Sequence, residues 1–302
     1  MSNISVIMSV YKESPQILEQ AIESILNQTF RTFEFIIILD NPSNFEAEKI
    51  IRKFSNQDNR IIYVKNEMNM GLSKSLNKAI LISKYEYIAR MDADDISLPT
   101  RLEDQLLYMK KNNLDLVGGY IEQITELGDT LIPCLKVPTS YSKIRRKLKF
   151  NNCIFHPTWL MKKEIFSFVN GYGLNGVEDY ELLLKIKDKY VMGNIPKVVL
   201  KYRMTTNSIS RTNLFEQYIK TLYLQKKYFK NLSTSYEDFF KISYNEKKSI
   251  KYNTANQVFL NCLSNLRERK YFQFIKNFLY SFILSSMYRK KLFNYFFTFY
   301  FI

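Results

Sequence analysis

The sequence has one histidine, His156, and only three cysteines, Cys134, Cys153 and Cys262, set far apart. A lone imidazole excludes catalysis built on several histidines and excludes His-rich metal cages. Cysteines without a CxxC spacing argue against a zinc site or a disulfide scaffold and fit a reducing compartment. Glycine (8) and proline (7) are too scarce for a collagen-like or linker-dominated chain. No stretch of 18 residues is both apolar and uncharged, so a spanning helix is not expected. Residues 1–10 carry no positive segment and run straight into a strand pattern, so no signal peptide is expected. Acids are scarce at the other end. Residues 211–302 hold 16 Lys+Arg against 5 Asp+Glu, or +11, whereas the first 210 hold 28 and 24, or +4.

Hydrophobic residues make up 46% of the 302, enough for a large core and too many for wholesale disorder. Residues 3–10 (NISVIMSV) and 34–39 (EFIIIL) suit buried strands, as do 60–65 (RIIYVK) and 85–91 (YEYIARM). Helical spacing separates them. Ser14-Pro15 opens a pattern of Ile17, Leu18, Ala21, Ile22, Ile25 and Leu26, and further helices are expected at 44–55 and 72–83. Strand and helix in alternation with short connections predict a doubly wound α/β fold. Ligands of such sheets bind at the carboxyl ends of strands, where Asp40 and Asp92 both fall.

The rhythm then changes. Strands are expected at 115–124, 130–137, 153–161 and 197–204, and helices at 139–149 and 179–189. From about 211 only helical patterns remain, at 213–230, 235–243, 250–267 and 271–288, so two domains are expected, 1–210 and 211–302.

The densest chemistry is ARMDADD, residues 89–95. Three carboxylates in four positions at a strand end repel one another unless a cation compensates. Asp92 and Asp94 can reach one divalent ion, and hard carboxylate oxygens suit Mg²⁺ or Mn²⁺ bound together with a substrate phosphate. A solvated acidic turn is the plain alternative.

The run ARMDADDISLPTRLEDQL (89–106) resembles the DxD segment of glycosyltransferase family 2, whose members have the GT-A fold. VIMSVYKE (6–13), IIILDNPS (36–43), NMGLSKSLNKAI (69–80), HPTWLMKKEIF (156–166) and NGYGLNGVEDYELLLKI (170–186) resemble that family's other segments, in its order. The resemblance covers roughly 3–210. It implies a GT-A catalytic domain with a C-terminal helical extension, a nucleotide-sugar donor, and Mn²⁺ or Mg²⁺ on Asp92 and Asp94.

The same resemblance assigns roles. Tyr11 stacks on the nucleotide base and Asp40 accepts from a uracil imide N–H. Asn69, Gly71 and Lys74 open a helix that can hold the diphosphate. Asp179 is the base that takes the acceptor hydroxyl's proton, kept ionised by its helix N-terminus, and Glu178 orients a sugar. His156 is either an acceptor contact or a core residue. Arg90 is placed away from Asp92's side, as a structural or sugar-contacting group. Three positions depart from the family pattern: Asn41 replaces a second acid, Leu183 a tryptophan, and Thr205 a histidine able to bind metal.

The expected activity is inverting transfer from a UDP-sugar to a surface-glycan or lipid-linked acceptor, at the cytoplasmic face of a membrane. The alternative is a degenerate sugar-binding or assembly subunit. Residues 271–302, with Arg289-Lys290-Lys291 amid aromatics, suit an anionic membrane surface; packing on the body or a homodimer contact is the alternative. No motif resembling a nucleic-acid-binding module appears, so nucleic acid is not an expected partner.

Overall fold

The computed structural model describes residues 3–205, 213–267 and 270–299. The chain divides into two compact units, Met1–Leu148 with Asn152–Thr206, and Lys149–Asn151 with Asn207–Ile302. The boundary expected near 211, and the Thr206-Asn207-Ser208 positions, lie outside the described residues.

The first unit is an α/β layer structure with one mixed sheet. Its strands are β1 (Ile4–Val10), β2 (Phe33–Leu39), β3 (Ile61–Lys65), β4 (Tyr87–Asp92), β5 (Ile96–Ser97), β6 (Leu116–Ile124), β7 (Thr130–Leu135), β8 (Leu160–Lys162) and β9 (Met192–Arg203). Their order is β3-β2-β1-β4-β8-β6-β9-β5, with β7 paired to β6. β1, β2, β3 and β4 run parallel, whereas β8 is antiparallel to both β4 and β6.

Every residue of β2 is buried, as expected for a parallel strand covered on both faces. Val6, Met8, Phe35 and Ile37 join a core with α1 (Pro15–Leu26), α2 (Phe45–Gln57) and α4 (Arg101–Lys111). Alternation turns Ile7, Ile36 and Ile38 to the other face. There α3 (Leu72–Ile82) packs on β1 and β2. Three short helices complete the unit: α5 (Tyr141–Lys147), α6 (Glu164–Val169) and α7 (Glu178–Ile186).

The strand expected at 153–161 is a correction. His156–Thr158 forms a 3₁₀ turn, and only Leu160–Lys162 is strand. Pro157 has no N–H for a ladder and a fixed φ that suits the turn. β9 starts five residues before its expected position, because a register shift opposite Gly119-Tyr120 absorbs Pro196.

The second unit is helical: α8 (Leu214–Lys230), α9 (Tyr236–Ser243), α10 (Glu246–Arg267), α11 (Tyr271–Leu284) and α12 (Ser286–Phe299). The rings of Phe215, Tyr218 and Tyr288 lie 5.0–5.4 Å from buried Tyr252. The single helix expected at 271–288 is broken. Ser285 is extended (φ −140°, ψ 115°), and its Oγ accepts from the Tyr288 N–H at 3.2 Å, capping α12.

Buried Gln28, just after α1, ties that helix to the segment following the acidic run. Its Nε2 donates to Leu98 O at 2.8 Å, and its Oε1 accepts from the Leu102 N–H at 3.1 Å. Gln28→Ala strands the Leu102 N–H, takes one of two donors from Leu98 O, and leaves a void. The expected loss is about 2–3 kcal/mol in urea unfolding. A loss below about 0.5 kcal/mol would contradict this anchoring.

Candidate active site

β2, β1 and β4 lie side by side and parallel, with Val10 opposite Leu39 and Ser9 opposite Asp92. The segments after them therefore leave the sheet at one edge. Tyr11, Asp40 and the acidic run meet there, as their positions at strand ends required.

Arg90 and Asp92 form an ion pair. Residues two apart on a strand share a face, so the expectation that Arg90 lies away from Asp92's side is corrected. Arg90 is buried, and its Nε and Nη1 have no partner among the described residues. Its backbone carbonyl accepts from buried Arg101 Nη2 at 2.7 Å, and its N–H donates to Trp159 O at 2.9 Å.

One carboxylate oxygen each of Asp92, Asp94 and Asp95 lies within 4.8 Å of the others. Asp95 is buried. Its Oδ1 accepts from the Arg203 N–H at 2.8 Å, and its Oδ2 has no partner among the described residues. Arg203 also donates Nε to Asp94 O at 2.8 Å, Nη1 to Glu126 O at 2.7 Å and Nη2 to Gln20 Oε1 at 2.7 Å. Burial, then the charges of Asp92 and Glu13, push the Asp94 carboxyl up to about 7. Burial, then Asp94 and Asp92, push Asp95 well above the usual range. Glu13 is raised too, by burial first; its Oε2 accepts from the Tyr11 N–H at 2.7 Å. Crowded hard oxygens, one of them orphaned, fit a divalent cation such as Mg²⁺ or Mn²⁺.

Asp40 is buried, with its carboxylate already engaged. Oδ1 accepts from Asn66 Nδ2 and the Met70 N–H, both at 2.8 Å, and Oδ2 from the Gly71 N–H at 2.9 Å. It braces the loop that starts α3. Gly71 holds φ +83° there, a region open to glycine, and Asn69 Oδ1 accepts from the Gly71 N–H at 3.0 Å. Lys74 is exposed on the first turn of α3, and Tyr11 is 37% exposed. Asn41 makes a local turn, accepting from the Ser43 N–H at 3.2 Å.

α3 also holds the loop that leads to the second acidic pair. Asn77 Nδ2 donates to Tyr172 O at 3.0 Å, and Asn77 Oδ1 accepts from the Tyr172 N–H at 2.8 Å. Glu178 and Asp179 then open α7. Asp179 Oδ2 accepts from Asn152 Nδ2 and Oδ1 from the Tyr180 N–H, both at 2.6 Å. Glu178 is 6% exposed, and its Oε2 accepts from the Gly176 N–H at 2.5 Å.

Burial, then Asp179's charge, push Glu178 up to about 7. Burial also raises Asp179, and the Tyr180 N–H, Asn152 and Arg90 offset part of that rise. The helix N-terminus therefore acts against burial rather than alone. Arg90's charge reaches Asp92, Asp94, Asp95, Glu178 and Asp179 together.

His156 lies in the core, its Nε2 2.9 Å from Tyr172 Oη and its ring edge-on to Trp159. Burial, then Arg90, hold its pKa well below the ordinary range, so the ring is neutral. Leu183 is buried core as well. Thr205, half-buried, lies two residues past the end of β9.

Sequence reasoning did not single out Glu13, Asp95, Asn152 or Arg203. Asp95 stood inside the run ARMDADD, Glu13 inside VIMSVYKE, and Arg203 within the strand expected at 197–204. Nothing local marks Asn152, whose role exists only once α7 folds against it.

The profile described as "Glycosyl transferase family 2" matches residues 5–168. An O-antigen biosynthesis glycosyltransferase, WbnJ, of Escherichia coli is 40% identical over 70% of this chain and 83% of its own. The Escherichia coli UDP-Gal:alpha-D-GlcNAc-diphosphoundecaprenol beta-1,3-galactosyltransferase is 31% identical over 78% of this chain and 86% of its own. The crystal structure of S. aureus TarS 1-349 in complex with UDP-GlcNAc superposes with a TM-score of 0.61 at 15% identity. That match covers 96% of this chain and 92% of that one.

Glu178 gives a signed test. Its folded pKa of about 7 exceeds the ordinary 4.5, so between those values the folded chain keeps a proton that the unfolded chain has lost. Stability therefore falls as pH rises through that window, and the cost is complete above it. Glu178→Gln keeps an acceptor for the Gly176 N–H and removes the charge. It is expected to raise the melting temperature at pH ~8 and change it little at pH ~4.5. Equal shifts at both pH values would contradict the assignment.

Proposed function

Because this chain belongs to glycosyl transferase family 2, we propose that it transfers a sugar, with inversion, from a UDP-sugar to a hydroxyl of a surface-glycan acceptor on a lipid carrier. The observation that carries this reading is the acidic run at the end of β4, where one carboxylate oxygen each of Asp92, Asp94 and Asp95 lies within 4.8 Å of the others and Asp92 pairs with buried Arg90. The galactosyltransferase relative, which by its name uses UDP-Gal and a diphosphoundecaprenol-linked acceptor, supports the donor and acceptor classes. The UDP-GlcNAc bound to TarS supports the same donor nucleotide. Such an acceptor would bring the enzyme to the cytoplasmic face of the cell membrane.

The ring of exposed Tyr11 stacks on the base. Asp40 serves the donor by fixing the Met70 and Gly71 amides, so that the α3 N-terminus and Lys74 face the diphosphate. Asp94, with Asp92 and the free oxygen of Asp95, would hold Mg²⁺ or Mn²⁺, which would supply neutralising charge for the leaving diphosphate. Asp179, oriented by Asn152 and the Tyr180 N–H, takes the acceptor hydroxyl's proton as its oxygen bonds the anomeric carbon. The bond to the diphosphate oxygen breaks on the opposite face, and the electron pair leaves with UDP. Glu178, packed beside Asp179, orients the sugar that reacts.

UDP release from a panel of UDP-sugars, with an undecaprenyl-diphosphate glycan as acceptor, tests this. Asp179→Asn is expected to lower kcat by about 10²–10⁴ and leave UDP affinity within about twofold. Transfer at the wild-type rate by Asp179→Asn would overturn the role of the base. Donor binding without transfer by the wild type would favour the degenerate subunit.

A further inference from the structure

α11 has two apolar faces, and among the described residues only one is packed. Phe274, Phe278 and Phe282 stack along the inner face with ring centroids 6.0–6.1 Å apart. Phe278 meets Phe259 of α10, and Phe282 meets Phe293 of α12. The outer face carries Phe272, Ile275, Leu279 and Ile283, at the spacing of one helical stripe. Phe272 is 81% exposed and Ile283 74%, with Ile275 and Leu279 more than half exposed. Scattered apolar residues on a surface need no explanation, but a continuous stripe along a helix does.

The charge around the stripe favours one occupant. Lys276 is exposed, four residues from Phe272 and three from Leu279, and so lies within the stripe. Arg289 and exposed Lys290 follow on α12. Residues 271–302 contain no Asp or Glu. A second copy docking through this face by a two-fold axis would set Lys276 near its own equivalent, with no acid on α11 or α12 to offset it. An anionic bilayer offers both an apolar layer for the stripe and counter-charge for the lysines. At 14 residues, α11 is about 21 Å long, short of the ~30 Å needed to cross. Among the described residues no helix is long and apolar enough to span a membrane. A helix of this kind lies in the interface plane.

We propose that the outer face of α11 docks this protein on an anionic lipid surface, with Phe272, Ile275, Leu279 and Ile283 in the acyl boundary and Lys276 and Lys290 on lipid phosphates. The surface acts independently of sugar transfer, and its test uses no activity readout.

The full chain is floated with vesicles rich in phosphatidylglycerol and, separately, with pure phosphatidylcholine. Wild type is expected to float with the anionic vesicles and to be released by high salt. Phe272→Ser/Ile275→Ser/Ile283→Ser and Lys276→Glu/Lys290→Glu are each expected to weaken partition more than about tenfold, with unchanged circular dichroism. The charge variant leaves every packed ring in place, so it tests the surface even if the serine variant folds poorly. Failure of wild type to float, equal flotation of both variants, or equal binding to neutral vesicles would overturn the proposal. So would a wild-type dimer in light scattering that the serine variant converts to monomer, since that would assign the stripe to a second copy.

Discussion

The buried guanidinium of Arg90 stands among more acids than it can balance. It pairs with Asp92, and its field extends to Asp94, Asp95, Glu178 and Asp179. Arg101 is buried beside it and feels Asp92 and Asp95, but it is spent on the Arg90 carbonyl and on Gln105 Oε1 at 3.0 Å. Buried charge pairs are poor sources of stability, and unmatched buried acids lower it. The folded chain thus holds a negative cluster at a stability cost, which makes sense for a site completed by a cation and a charged ligand.

The rest of the first unit serves to hold that cluster. Parallel β1, β2 and β4 bring three loops to one edge. Arg203, at the end of β9, fastens the acidic run through the Asp95 carboxylate and the Asp94 carbonyl. Asp40 fixes the start of α3, and Asn77 of α3 fixes the loop before α7. The α3 region thus carries hydrogen bonds both to Asp40 and to the loop before α7.

Much of this was legible in the sequence. Continuous apolar runs separated by 3.6-period segments dictated the parallel strands and their helices, and Asp92 at a strand end dictated its place in the crevice. What stayed hidden depends on contacts formed only in three dimensions. Arg90 was misplaced although strand parity alone sets it beside Asp92. The commitment of Asp40 to two backbone amides follows from the loop's shape, which no pattern of residue types encodes. His156 stood within a resemblance to an acceptor segment, yet burial beside Trp159 and Tyr172 makes it a neutral core ring. Asn152 became visible only through its bond to Asp179. In the tail, hydropathy carried the helix through Ser285, and a local serine cap stopped it.

In the proposed function, the acids around Arg90 are left unbalanced so that cation and nucleotide bind together. Calorimetric titration of UDP with and without Mn²⁺ tests it most directly. Mn²⁺ is expected to tighten UDP binding more than about tenfold, and Asp94→Asn to abolish that gain. UDP affinity that is the same with and without Mn²⁺, in wild type and Asp94→Asn alike, would contradict it.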